Sequence, residues 1–180
     1  MMKFKKFTPM LSEVKSKILG IDPGYGRLGI AVIESIARKS TLIHSECFET
    51  DSKLPHPERL ALVLEKIIKV ITKYDPDVLA IETLIFSKNV KTALKVAEVR
   101  GLIIAESASR GLQISEHHPN EIKMAVTGYG RSDKKQIIFM LEKILKITKH
   151  LKYDDEYDAI AIALTSEALI HNFKEKVFEK

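Results

Sequence analysis

The hydrophobic pattern of this chain changes period near Pro57, and that change limits the folds open to it. Before it, residues 17–21 (KILGI), 28–33 (LGIAVI) and 41–49 (TLIHSECFE) are short apolar runs, the first two split by the turn signal Asp22-Pro23-Gly24-Tyr25-Gly26. Three short strands this close in sequence read as an antiparallel meander. After it, Leu60, Val63, Leu64, Ile67, Ile68 and Ile71 recur at helical spacing and stop before Asp75-Pro76. Residues 78–81 (VLAI) form a buried strand that runs straight into Glu82, and 89–109 a second long helix with Gly111 as terminator. Residues 112–115 supply a fifth strand. A short helix over 119–126, the Gly128-Tyr129-Gly130 loop, a helix over 133–146 and a last one from about Asp154 to Phe173 complete the chain. Strands first, then strand and helix alternating, predict an α/β fold: a mixed five-stranded sheet, three antiparallel strands then two more, with helices on both faces.

No repeat, linker or low-complexity tract divides the 180 residues. The expected organisation is one domain over 17–173, a flexible extension over 1–16 and a charged tail over 174–180. No stretch approaches the ~18 apolar residues of a membrane span. The single cysteine, Cys47, excludes a disulfide framework and an all-cysteine zinc site, and makes the reduced cytoplasm the expected compartment. The charge is more informative: 29 Lys and Arg against 24 Asp and Glu leave +5, which favours polyanionic partners such as nucleic acid.

Against this basic background, four acids fall where α/β sheets gather their chemistry. Asp22 and Glu82 each follow an apolar strand directly, and Asp155 and Asp158, spaced i, i+3, open the last helix on one face. Asp154 and Asp158, at i, i+4, share a face equally well. Ile162 and Thr165 continue the acid face, leaving Ile160, Leu164 and Ala168 for the core. Taken singly, each acid has a plainer role: a turn at Asp22, a strand-end ion pair at Glu82, dipole complementarity in the first turn of the helix. Together they conflict, because two unit charges ~4 Å apart repel by ~4 kcal/mol at an effective dielectric of 20. Either protons or cations must hold such a cluster. Oxygen donors without a thiol suit Mg²⁺ or Mn²⁺ better than zinc, and two such ions activate a water and stabilise a leaving oxygen in phosphodiester hydrolysis.

Residues 18–24 (ILGIDPG), 80–101 (AIETLIFSKNVKTALKVAEVRG) and 155–163 (DEYDAIAIA) closely resemble, in order, the RuvC family of Holliday junction resolvases. The similarity runs from about Lys17 to His171. It implies a ribonuclease H-like fold and a homodimeric, Mg²⁺-dependent endonuclease, with Mn²⁺ as a substitute. Such enzymes nick two strands of like polarity at a four-way DNA junction in recombination and repair, leave 5′-phosphate ends, and work with junction-binding and branch-migration motor proteins. Carried over by motif, Asp22, Glu82, Asp155 and Asp158 become the catalytic, metal-binding set, two ions per site. Asp155 is preferred to Asp154 because the family's acid-x-x-Asp-Ala spacing ends on Asp158-Ala159. Lys123 and Lys134 match family lysines near the cleft, and Lys88 and Arg131 are further DNA-binding candidates. The aromatic that the family often carries three residues after the glutamate is Ile85 here, so Phe86 is the candidate to stack on DNA. The Gly128-Tyr129-Gly130 loop is expected to let the backbone approach a phosphate. The helix over 89–109 is expected at or near the dimer interface. Two other functions keep parts of this reading: a ribonuclease H-like enzyme acting on RNA or a DNA–RNA hybrid, and a module that binds branched DNA without cutting it.

Overall fold

The computed structural model describes residues 15–37, 39–84, 90–148 and 150–178, without the side chains of 90, 91 and 170–178. Its strands are β1 (Ser16–Asp22), β2 (Arg27–Ile36), β3 (Lys39–Glu49), β4 (Val78–Glu82) and β5 (Gln113–His117). Helix α1 (His56–Tyr74) precedes β4, α2 (Val90–Ser109) joins β4 to β5, and α3 (Pro119–Thr127), α4 (Lys134–Ile144) and α5 (Asp154–Phe178) follow. The sheet order is β3-β2-β1-β4-β5, antiparallel across β1–β2–β3 and parallel across β1–β4–β5. The sequence expectation of a meander followed by crossover strands is met.

The central strands read as continuous apolar runs because both their faces are covered. Leu19, Ile21, Leu79 and Ile81 point to one side, where they pack with Val63, Ile67, Val70 and Ile71 of α1 and Val99 and Ile103 of α2. Ile18, Val78 and Ala80 point to the other, into a second core with α3, α4 and α5. On β2 the register slips between Val32 and Ile33, so Ile43 on β3 is the extra residue of a bulge and lies exposed at the sheet edge.

The helix ends follow local chemistry. Asp75 takes a left-handed conformation and its N–H closes α1 on Ile71 O at 2.9 Å, with Pro76 barring further turns. Gly111, at φ 84°, does the same after α2. Asp133 caps α4, accepting from Gln136 N at 2.9 Å.

Three boundaries differ from the sequence expectation. β1 begins at Ser16, paired with Ser35, so the strand takes in the last residue assigned to the N-terminal extension. β5 runs from Gln113 to His117 rather than over 112–115. Helix α5 continues to Phe178, into the segment expected as a tail, since residues 174–178 (KEKVF) contain neither Gly nor Pro to stop it.

Helix α5 also corrects the expected division of faces. Ile160 and Leu164 are buried as expected, but so are Ile162 and Thr165, with Tyr157, Ala159, Ala161 and Ala163. The helix lies between the sheet and the α3–α4 layer, so it has no solvent face over this stretch. It reaches the sheet closely because β1 offers Gly20 there. A Cβ on Gly20 would stand 2.2 Å from Ala159 O and 2.7 Å from Ala163 Cβ, closer than atoms pack.

Gly20→Ala is therefore expected to cost about 1–3 kcal/mol through overpacking. Gly101, in α2, has nothing within 4 Å of its Cβ position, and Gly101→Ala is expected to stabilise the chain by roughly 0.5–1 kcal/mol through helix propensity. Urea denaturation of both variants measures the opposite signs.

Candidate active site

The sheet register brings the first two acids together. Ile21 of β1 pairs in parallel with Ile81 of β4, so the residues that follow, Asp22 and Glu82, end adjacent strands side by side. Across β1, Asp22 pairs with Gly29 of β2. A Cβ on Gly29 would lie 2.0 Å from Asp155 O and 3.1 Å from Asp22 Cβ, so the missing side chain is what lets the first turn of α5 sit against these strand ends. Asp158, one turn on, faces Asp22 and Glu82. Asp22 and Glu82 line a cleft of about 230 Å³ with Thr83, Leu84, Val96 and Pro119.

The electrostatics record this convergence. Burial first, then the charges of Asp158, Glu82 and Asp155, push the Asp22 carboxyl up from 3.8 to about 7, against the opposing charge of Lys134. Burial and Asp158 likewise raise Glu82, while His118, Lys134 and Lys123 pull it back. Asp158 is raised by burial and by Asp154 and Asp155, and lowered by its bond to Lys134. Asp154 thus acts on the site as a neighbouring charge.

Two cations stand among the acids. Lys134 Nζ pairs with the Asp158 carboxylate, and Arg27 Nε lies 3.6 Å from Asp155 Oδ2. Among the described residues, no three acid, imidazole or thiol side chains already form a closed metal-binding group. The donor set itself fits a hard divalent cation: clustered carboxylates, no thiol among them, and repulsion that a cation relieves. Cys47, opposite Gly29 on β3, is close enough to feel Asp155, but burial and that charge push its thiol up to about 11, so it stays protonated.

The basic candidates separate. Lys123 and Lys134 lie near the acids, as their effects on Glu82 show. Arg131 is exposed in the turn before α4. Phe86 and Lys88, with Ile85, lie outside the described residues. The Gly128-Tyr129-Gly130 loop is not an open phosphate cradle at its first residue. Gly128, at φ 75°, caps α3 and gives its N–H to Met124 O at 2.9 Å. The loop is then braced by Thr127 Oγ1 and Ser132 Oγ, 2.6 Å apart, and by the Ser132 hydroxyl donating to Tyr129 O at 2.8 Å.

Other groups escaped the sequence reading. Arg27 looks like an ordinary strand residue, and His118 like a polar residue before a proline. Arg59 is buried, donating to Thr50 Oγ1 at 2.9 Å and to Tyr25 O at 2.8 Å, and so fastens the turn after Asp22 to α1. Its guanidinium lies 3.9 Å from the Tyr25 ring centroid. Arg100 was visible only as part of a motif. Its Nε donates to Glu82 O at 2.9 Å.

Residues 18–166 match the family described as Crossover junction endodeoxyribonuclease RuvC. Proteins of that description from Thermosipho melanesiensis and Thermotoga maritima are 42% and 40% identical over 147 residues, 82% of this chain and 94% and 88% of theirs. Thermus thermophilus RuvC, solved in complex with a Holliday junction substrate, superposes with a TM-score of 0.81 at 27% identity, covering 86% of this chain and 94% of that one. The yeast mitochondrial Holliday junction resolvase Ydc2 shares the fold, with a TM-score of 0.65 at 15% identity. The chain belongs to the RuvC family of crossover junction endodeoxyribonucleases.

Proposed function

We propose that this chain resolves four-way DNA junctions by hydrolysing phosphodiester bonds at the Asp22, Glu82, Asp155 and Asp158 cluster. The observation that carries the site assignment is the convergence of these acids at the ends of β1 and β4 and the start of α5, where burial first and their repulsion second raise Asp22 to about 7 in a protein with +5 net charge. A fold gains nothing in stability from desolvating like charges together, so their use lies in holding cations. The four carboxylates would hold two Mg²⁺ ions, with Mn²⁺ able to substitute. Bound there, the ions supply an activated water and charge neutralisation at the departing 3′ oxygen.

The chain's own groups do the rest. The raised Asp22 carboxyl would have to lose its proton to serve as a ligand, so metal affinity should rise with pH through neutrality. Lys134, once released from Asp158, is free to neutralise a phosphate oxygen, and Lys123 adds positive charge on the Glu82 side. Arg27, 3.6 Å from Asp155 Oδ2, offsets part of the charge on that side of the cluster. Arg131, Lys88 and Phe86 are further contacts to DNA in this reading. Cleaving two strands of a symmetric junction needs two such clusters, so the working unit is a homodimer. We place that unit in the cytoplasm, acting with junction-binding and branch-migration proteins. Residues 16–178, from the start of β1 to the end of α5, form its catalytic domain.

The test is an assay of four-way junction, linear duplex and DNA–RNA hybrid side by side, with Mg²⁺ varied. Asp22→Asn is expected to retain junction binding and lose cleavage by roughly a thousandfold or more, the several kcal/mol that a metal ligand supplies in the transition state. Parental cleavage by that variant would sink the site assignment, and preference for the hybrid would sink the substrate.

The raised Asp22 also makes a stability prediction. The folded state holds this proton more tightly than the unfolded chain, whose carboxyl keeps its ordinary 3.8. Metal-free protein should therefore keep this contribution below about pH 4 and lose it as pH rises toward 7. Asp22→Asn should melt higher than the parent at pH 8 in chelator, and the advantage should vanish at pH 4. Equal melting curves at both values would show that Asp22 is not strained.

A further inference from the structure

Glu82 is the last residue of β4, and the β1–β4 pairing stops one residue earlier, at Ile21 and Ile81. The position of its carboxylate thus depends on what holds the main chain at the strand end. Two groups do so. On the β5 side, Thr83 N–H donates to His117 O at 2.9 Å, and the Thr83 hydroxyl donates to the same oxygen at 3.3 Å. From α2, Arg100 Nε donates to Glu82 O at 2.9 Å, while its terminal nitrogen pairs with the Glu116 carboxylate on β5. One planar guanidinium thus ties a helix to the ends of two strands, a task that needs its forked donors.

Stability alone is a poor reason for this arrangement. The Arg100 side chain is 16% exposed but Glu116 is 49% exposed, and ion pairs with one wet partner contribute little. Arg110, the residue just past the end of α2, pairs instead with Glu106 one turn back on that helix. The distinguishing feature of Arg100 is the backbone it grips.

We propose that Arg100 is a positioning residue for Glu82. It fixes the strand end from which the Glu82 carboxylate reaches toward Asp22 and Asp158, and Glu116 is the counter-charge that aims it. The inference rests on Glu82 being a metal ligand, as proposed above. Groups that orient a ligand typically contribute 10–100-fold in metal affinity.

The test is calorimetric titration of the full chain with Mn²⁺, without DNA, for the parent and five variants. Glu82→Gln is expected to lose Mn²⁺ affinity outright. Arg100→Gln should weaken it roughly 10–100-fold, with Arg100→Lys in between, since an ammonium meets only part of the fork. Glu116→Gln should weaken it in the same direction by a smaller factor, and Arg110→Gln should leave it unchanged. Affinity lost in Glu82→Gln but parental in Arg100→Gln overturns this inference alone. Affinity parental in Glu82→Gln overturns the ligand assignment instead. Should Arg100→Gln fail to fold, Glu116→Gln decides: its side chain lies at the surface, and parental affinity there overturns the proposal.

Discussion

The contact on which the rest of the molecule depends is between backbone and backbone: the first two turns of α5 against β1 and β2. Gly20 and Gly29 carry no Cβ at the points where Ala159 O and Asp155 O come closest. That absence sets the distance between the helix and the sheet, and the distance sets what stands beside the ends of β1 and β4. Asp155 and Asp158 belong to the same turns that make the contact, so they cannot retreat from Asp22 and Glu82 without unpacking the core around Ile160 and Ala163. Packing thus imposes a like-charge cluster that electrostatics alone would disperse.

The molecule answers that strain with partial compensation. Lys134 reaches Asp158 from the start of α4, Arg27 reaches Asp155 from the start of β2, and Lys123 and His118 bear on Glu82 from α3 and its cap. Asp22, deepest among them, pairs with no cation among the described residues and is raised by burial and its neighbours' charges to about 7. A carboxyl balanced near neutrality changes charge easily when a cation approaches, whereas one fully satisfied by a salt bridge would resist exchange. The compensating groups sit at the rim, where a polyanion can compete for them.

Much of this was legible in the sequence, for reasons that also explain what was not. Strands that run straight into Asp22 and Glu82 reveal themselves because apolar runs end abruptly, and parallel pairing of two such strands aligns their ends. The i, i+3 spacing of Asp155 and Asp158 is a helical face whatever the tertiary fold. The error over Ile162 and Thr165 came from the same rule: period predicts one buried face, and a helix covered on both sides by a sheet and by α3–α4 has two. Arg27, Arg59 and Arg100 were hidden because each acts through a backbone or carboxyl group on another element, and no local pattern records such a partner. The β1 start at Ser16 and the continuation of α5 to Phe178 are boundary effects, set by pairing with Ser35 and by the lack of a stop signal.

The elements that carry the two sets of charges differ in kind. All four acids sit on residues whose main chain is in a central strand or in the start of α5; Arg59 fastens the turn that follows Asp22, and Arg100 holds the main chain of Glu82. Lys123, Arg131 and Lys134 come instead from α3, α4 and the turn between them, an outer layer that packs on α5. A cation demands ligands fixed within tenths of an ångström, so its ligands belong on the stiffest part of the sheet. A phosphate backbone tolerates long, adjustable side chains and is held by charge more than by shape. The net charge of +5 conceals this division, because it sums an inner set that is negative and an outer set that is positive. On the proposed function, neutralising the inner set with cations would leave the outer set unopposed, so loading the site with metal would also strengthen the surface proposed to meet DNA.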